Sequence, residues 1–267
     1  MVGPSPLPNS RCNMLVSEWK SKFKASGIHL LISLGVGLLA GAFIFFLWYP
    51  PPYHKISGGS DIFILLVSID IIIGPLITLV VYSNKKSTKA ITIDFTTIAI
   101  LQSAALAYGM WTLFVARPVY LVYEYKNFNV VHAIDLDSAL LKSSSNPLKI
   151  IPLDGPKIIS LRKPETGDEQ IETMSKALYG ITESEQPDLW QPYEVAKKNA
   201  LTVCKDVSIL MEQFPSRRTE IDNVISKSGV NAGNICHLPL ISRGNVWTIF
   251  LNRSTVMPIG YLPIDSF

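Results

Sequence analysis

The chain has 267 residues, 48% hydrophobic and only 17% charged, with a formal net charge of +3. Soluble proteins carry about 25% charged residues, and the deficit here is local. Between Ile28 and Val115 the only Asp, Glu, Lys or Arg side chains are Lys55, Asp61, Asp70, Lys85, Lys86, Lys89 and Asp94, which excludes an ordinary soluble globule. The basic excess sits at Arg11, Lys20, Lys22 and Lys24, then at Lys85, Lys86 and Lys89. These short clusters flank apolar runs and form no broad basic face, so nucleic acid is excluded as a partner.

In chain order, residues 1–27 form a polar N-terminal segment and residues 28–115 hold three apolar runs. These are Ile28–Tyr49, Ile62–Tyr82, and Ile91 or Phe95 to Val115. A helix needs about 20 mostly apolar residues to cross a hydrocarbon core of roughly 30 Å, and each run meets that length. Lysines crowd the N-terminal segment and the Ser83–Ala90 loop, whereas the Pro50–Asp61 loop has one lysine opposed by Asp61. The N-terminus and the second loop are therefore expected on the cytoplasmic side, with the first loop and everything after Val115 on the other. The first run ends in Trp48-Tyr49-Pro50-Pro51-Pro52 rather than a small-x-small cleavage site, so it reads as an uncleaved anchor.

Polar residues inside the spans stand out. Asp70 lies near the middle of the second run, where a carboxylate costs about 2.5–3.5 kcal/mol to insert. It either contacts another helix, in this chain or a partner, or bonds to Gln102 or Ser103 at similar depth in the third run. Pro75 lacks the N–H that would bond to the Ile71 carbonyl, and Gly74 precedes it, so a kink is expected there. Ser33, Gly37 and Gly41 form a small-residue face suited to close helix packing, most simply against this chain's own second or third run.

Residues 116–267 read as a separate α+β domain with mostly antiparallel pairing. Val119–Tyr125 and Phe128–Ile134 suggest a hairpin turning at Lys126-Asn127, and Lys157–Arg162 suggests a further strand. Helices are expected around Glu169–Tyr179, Tyr193–Gln213 and Ser216–Ser228, followed by strands Ile235–Ile241, Val246–Asn252 and Val256–Ile264. Cys204 and Cys236 fall on the outer side, where a bridge closing about 30 residues would contribute roughly 3 kcal/mol; two unpaired thiols are the alternative. Cys12 falls on the cytoplasmic side.

Little suggests catalysis. His29, His54, His132 and His237 have no metal-binding spacing, and no cofactor or metal is expected. Ser57-Gly58-Gly59 reads as a turn, and Asp135-Leu136-Asp137 as a helix cap rather than a cation site. An enzyme would have to draw on Arg117, His132 and Asp135 near the membrane surface.

Several segments in order resemble the type IV pilin accessory family called TfpX/TfpZ. They include Leu47-Trp48-Tyr49-Pro50, Ile56-Ser57-Gly58-Gly59, Asp70-x-x-x-Gly74-Pro75-Leu76-x-Thr78, Leu101-Gln102-x-Ala104-Ala105, Ala116-Arg117-Pro118-Val119-Tyr120 and Pro258-Ile259-Gly260-Tyr261-Leu262. The chain departs from the family at Asp265-Ser266-Phe267, where Asp-Pro-Trp is expected. The resemblance implies a bacterial inner-membrane protein with three transmembrane helices and a periplasmic domain. Such a protein assists assembly of a cognate type IV pilin, its partner along with the lipid bilayer, without catalysis. On that reading Gly37, Gly41, Asp70, Gly74, Pro75 and Gln102 are the residues expected to hold the pilin's membrane helix. Arg117, Pro118 and Tyr120 form the membrane-surface junction, and the outer domain reads the pilin head.

Overall fold

The structure, a computed structural model, describes residues 8–83 and 86–267, with side chains from residue 16 onward. Lys85 and the side chains of Arg11 and Cys12 therefore lie outside the described residues. The chain divides into two compact units.

The first unit comprises residues 1–44 and 60–113. It is built from helices α1 (Pro8–Phe43), α3 (Gly59–Val81) and most of α4 (Thr88–Val115). Three apolar stretches, Val16–Trp48, Gly59–Val81 and Thr88–Val115, are long and apolar enough to cross a membrane. No more than 28% of any stretch is buried, so their apolar side chains face outward, as lipid-facing helices require and water-soluble ones cannot sustain. Close approach depends on glycine. An added Cβ at Gly37 would lie 3.1 Å from Val67, at Gly41 2.8 Å from Phe63, and at Gly109 2.4 Å from Leu66. Both α1 and α4 thus pack on α3. At Gly37 and Gly41 the small-residue face of the first span is occupied by this chain's own second span.

The second unit comprises residues 45–59 and 114–267. The division at residues 28–115 grouped the first loop with the spans; its residues instead pack into this unit. A π-helical turn (Ile44–Trp48) leads to the short helix α2 (Tyr53–Ile56). Tyr53 and Ile56 enter a buried cluster with Leu121, Phe128, Tyr193 and Leu251. The Tyr53 and Tyr261 hydroxyls are 3.1 Å apart. The conformation of the glycines follows: Gly58 has φ +70°, and a Cβ at Gly59 would lie 2.5 Å from the Tyr49 ring.

The sheet has strands β1 (Pro118–Glu124), β2 (Asn127–His132), β3 (Lys157–Leu161), β4 (Trp190–Pro192), β5 (Lys205–Asp206), β6 (Ile235–Ser242), β7 (Asn245–Asn252) and β8 (Pro258–Leu262). Their order is β4-β3-β1-β2-β6-β7-β8, with β5 also pairing β6. The expected mostly antiparallel sheet is corrected to a mixed one, because β1 runs parallel to β3 and β2 parallel to β6. Both joins lie inside the sheet and are supplied by long crossovers, which parallel neighbours need. The hairpin turns at Tyr125-Lys126, one residue earlier than expected, with Tyr125 at φ +54° and Glu124 opposite Asn127.

Further helices are α5 (Ser138–Ser143), α6 (Gly167–Leu178), α7 (Tyr193–Val203), α8 (Val207–Gln213) and α9 (Arg218–Ser228). Asp137 caps α5 by accepting from the Ala139 and Leu140 N–H groups. The expected single helix Tyr193–Gln213 is split into α7 and α8. Between them β5 pairs with Cys236 and His237 of β6, and Cys204 is bonded to Cys236 with Cα atoms 5.6 Å apart. These tethers draw the backbone out of the helix. Strand β8 starts later than expected, past Val256 at φ +57°, and also ends earlier, at Leu262.

Candidate intramembrane site

In the first unit, α3 carries a polar stripe at Asp70, Gly74 and Thr78. Residues four apart share one helical face, and the stripe meets α1 at His29 and α4 at Gln102. Here His29 Nε2 lies 2.8 Å from Gln102 Oε1, and His29 Nδ1 lies 2.5 Å from the Thr78 hydroxyl. The Gln102 carbonyl oxygen can only accept, so Nε2 donates to it, and in that tautomer Nδ1 accepts from the Thr78 hydroxyl. Ser26 donates to the Pro75 carbonyl at 2.9 Å.

Gly74 and Pro75 are both buried. A Cβ on Gly74 would lie 2.1 Å from Gln102 Nε2 and 3.0 Å from His29 Nε2. Glycine is what lets these two side chains lie against α3. The helix is continuous through Pro75.

Two groups are left over. The Gln102 amide nitrogen is buried without a hydrogen-bond partner among the described residues. Asp70, half-buried, makes neither of the bonds considered for it, to Gln102 or to Ser103; the Gln102 oxygen is spent on His29. In hydrocarbon an unpaired polar group costs several kcal/mol. Both residues line open grooves. One, about 270 Å³, runs between α1 and α4 past His29, Ser33, Asp70 and Gln102. The other, about 400 Å³, runs between α3 and α4 from Asp94 to Ala105. Asp94 and Ala105 are eleven helical steps of about 1.5 Å apart, which makes it roughly 17 Å long, three turns of a docked helix.

Sequence reasoning found Asp70, Gly74, Pro75 and Gln102, and the structure brings them together. It missed His29, Ser26 and Thr78. His29 was tested only against metal spacing, although an imidazole inside an apolar run is itself an intramembrane ionisable group. Thr78 continues the four-residue stripe and was legible on that ground.

The remaining expected residues lie in the second unit. Arg117 is buried; its Nη1 donates to the Phe114 carbonyl at 2.6 Å, and the guanidinium lies 3.9 Å from the Phe114 ring centre. Burial lowers its pKa, with Tyr49 acting against that. Pro118 opens β1 opposite His132. The Tyr120 hydroxyl donates to the Leu148 carbonyl at 2.5 Å, with the Ile150 carbonyl at 2.9 Å, and its ring packs on Trp190. These are structural roles. His132 Nδ1 lies 3.0 Å from Asp135 Oδ2, an arrangement with catalytic precedent. Yet His132 is fully buried, so its ring has no route to a substrate. Burial lowers its pKa against the opposing Asp135 hydrogen bond. Among the described residues no group of His, Cys, Asp and Glu could hold a metal.

A three-helix membrane anchor joined to one mixed α/β domain, with its open polar chemistry between helices, defines a membrane-anchored protein organised around helix contacts. Comparisons with known proteins carry this further. A family model described as Fimbrial assembly protein FimB matches residues 17–58, from the first apolar helix through the loop built into the second unit. The chain is similar to the fimbrial assembly protein of serogroup I from Dichelobacter nodosus, 31% identical over 246 residues covering 91% of this chain and 95% of the relative. The serogroup E1 protein of the same organism matches at the same identity and coverage. The protein of serogroups C1 and C2 is 42% identical over 42% of this chain and 86% of its own length. The chain belongs to the fimbrial assembly protein family, in accord with its resemblance to the type IV pilin accessory proteins. No solved structure matches it.

Proposed function

We propose that this protein binds a cognate type IV pilin in the bacterial inner membrane and assists its assembly into pili, acting by contact and not by catalysis. The observation that carries this reading is the half-buried Asp70 carboxylate, left without a partner among the described residues and opening onto grooves about three helical turns long. A pilin awaiting assembly has a hydrophobic N-terminal helix and a globular head outside the membrane. Its helix, presenting a polar group, would satisfy Asp70 and fill the apolar groove walls.

Family membership supports the assembly role, and the complete burial of His132 supports binding over chemistry. The lysine-rich flanks support a cytoplasmic N-terminus with the second unit in the periplasm, where it would read the pilin head. The packing of Gly37 and Gly41 on α3 narrows the pilin contact to Asp70, Gln102 and the groove walls near Gly74 and Pro75. The test is recovery of pilin with the tagged protein from detergent extracts. Wild type should retain pilin and Asp70→Leu should lose most of it; equal recovery would remove the groove from the mechanism.

A further inference from the structure

The second unit leaves three large aliphatic side chains in the open: Ile134 is 60% exposed, Ile150 78% and Leu153 59%. They share an anchor. The Arg117 carbonyl accepts from Ala133 N at 2.9 Å, beside Ile134, and Arg117 Nη2 donates to the Pro152 carbonyl at 3.5 Å, between Ile150 and Leu153. Ile151 packs inward on the cluster under β1 and β3, so this segment spends one side chain on the core and exposes its neighbours. Gly155 closes on Pro50, where an added Cβ would lie 2.8 Å from the ring.

Both anchors sit next to membrane-length helices. Arg117 is two residues past Val115, and Pro50 two past Trp48, the ends of two apolar stretches. An extended chain covers at most about 3.6 Å per residue, so each anchor is within about 7 Å of a span's end. The headgroup zone on each side of the hydrocarbon core is about as thick. Arg243 is exposed and donates from Nη2 to the Ala116 carbonyl at 3.4 Å; its charge also acts on nearby Asp135, but it makes no direct salt bridge among the described residues. A second apolar face on α6, formed by Ile171, Met174 and Leu178, has acidic neighbours just as Ile134 and Leu153 have Asp135 and Asp154, but among the described residues it has no tie to either span end.

We propose that Ile134, Ile150 and Leu153 form a lipid-docking face seated in the headgroup layer of the bilayer, with Arg243 on a lipid phosphate. Aliphatic side chains beside a cation are the composition that partitions into an anionic interface. The proposal rests on the reading that the apolar helices cross that bilayer.

The test uses the full chain in vesicles of phosphatidylcholine and phosphatidylglycerol, in a Cys12→Ser background with Cys204 and Cys236 oxidised. An environment-sensitive fluorophore is attached after Ile150→Cys, and separately after Leu153→Cys, Leu178→Cys and Ile100→Cys. Labels at 150 and 153 should be blue-shifted and quenched by spin-labelled lipid, as at 100, while the label at 178 should not be. Labels at 150 and 153 that behave like 178, with 100 quenched, overturn the docking face alone. If the label at 100 also escapes quenching, the membrane reading fails and the proposal with it. Omitting phosphatidylglycerol, or introducing Arg243→Gln, should weaken quenching at 150; no change in either overturns the phosphate contact.

Discussion

The two units treat unpaired polar groups in opposite ways. In the second unit both ring nitrogens of His237 and one of His132 lack partners, but the rings are fully buried. Burial pushes the His237 pKa down to about 4, so the ring stays neutral and the cost of sealing it is contained. In the first unit the Gln102 amide nitrogen is sealed in the same way, but the half-buried Asp70 carboxylate lines open grooves. A closed defect is tolerated by a domain whose clusters on both sheet faces fix its shape. An open one invites a partner to complete it. The contrast teaches that missing hydrogen bonds mark a binding site only where something can reach them.

The largest expected effect tests whether the second unit is as self-sufficient as this contrast requires. Cys204 and Cys236 are 32 residues apart, and removing the bridge with paired Cys→Ser changes should cost about 3.5 kcal/mol through the gained entropy of the unfolded chain. Denaturant unfolding of this domain checks it. Pilin recovery at low temperature should persist, since the grooves lie in the other unit.

Slightly smaller, and opposite in sign, is the response of the first unit to Asp70→Leu. Removing an unpaired mid-span carboxylate should stabilise the helix bundle by about 3 kcal/mol, read from unfolding in mixed micelles, while pilin binding is lost. A variant that is less stable than wild type would mean Asp70 has an internal partner, and the contrast between the units would collapse.

The sequence carried the first unit further than the second, for physical reasons. Span length and lysine placement are set by the bilayer, so they are written locally. Asp70, Gly74 and Gln102 stand out because hydrocarbon makes every polar atom conspicuous. His29 was overlooked although it obeys the same rule. In the second unit, Ala196, Ala200, Val207 and Leu210 are buried at helical spacing, yet the single helix expected across them is broken. Periodicity reports which side chains face a core; it does not report that Lys205 and Asp206 will bond to another strand. The parallel joins were equally hidden, since a crossover is fixed by contacts far away in sequence. Tyr53 and Ile56 read as loop residues because their partners, from Leu121 and Phe128 to Tyr193 and Tyr261, all lie beyond the last span, far along the chain.

The smallest expected effect sharpens the contrast from within the second unit. Glu124 accepts a hydrogen bond from Asn129, and burial, with Glu183 and Glu185 nearby, pushes its pKa up to about 7. Its folded pKa exceeds the unfolded value near 4.5, so between those limits the folded state holds the proton and the unfolded state has lost it. Stability from this group is therefore present below pH 4.5 and lost as pH rises through 7. His237 works the other way: neutral when folded, it withdraws stability as pH falls from 6.5 to 4. The two contributions oppose each other between pH 4.5 and 6.5, leaving wild type with a shallow profile. Glu124→Gln should raise stability at pH 7.5 by about 2 kcal/mol, after allowance for solvent screening of a partly exposed group. It should also uncover the histidine slope, so that the variant loses stability steeply on acidification. Unfolding free energies across pH 4 to 8 decide it. If Glu124→Gln kept the shallow wild-type profile, the buried defects of this domain would not be held neutral, and sealing them would not explain why they are tolerated.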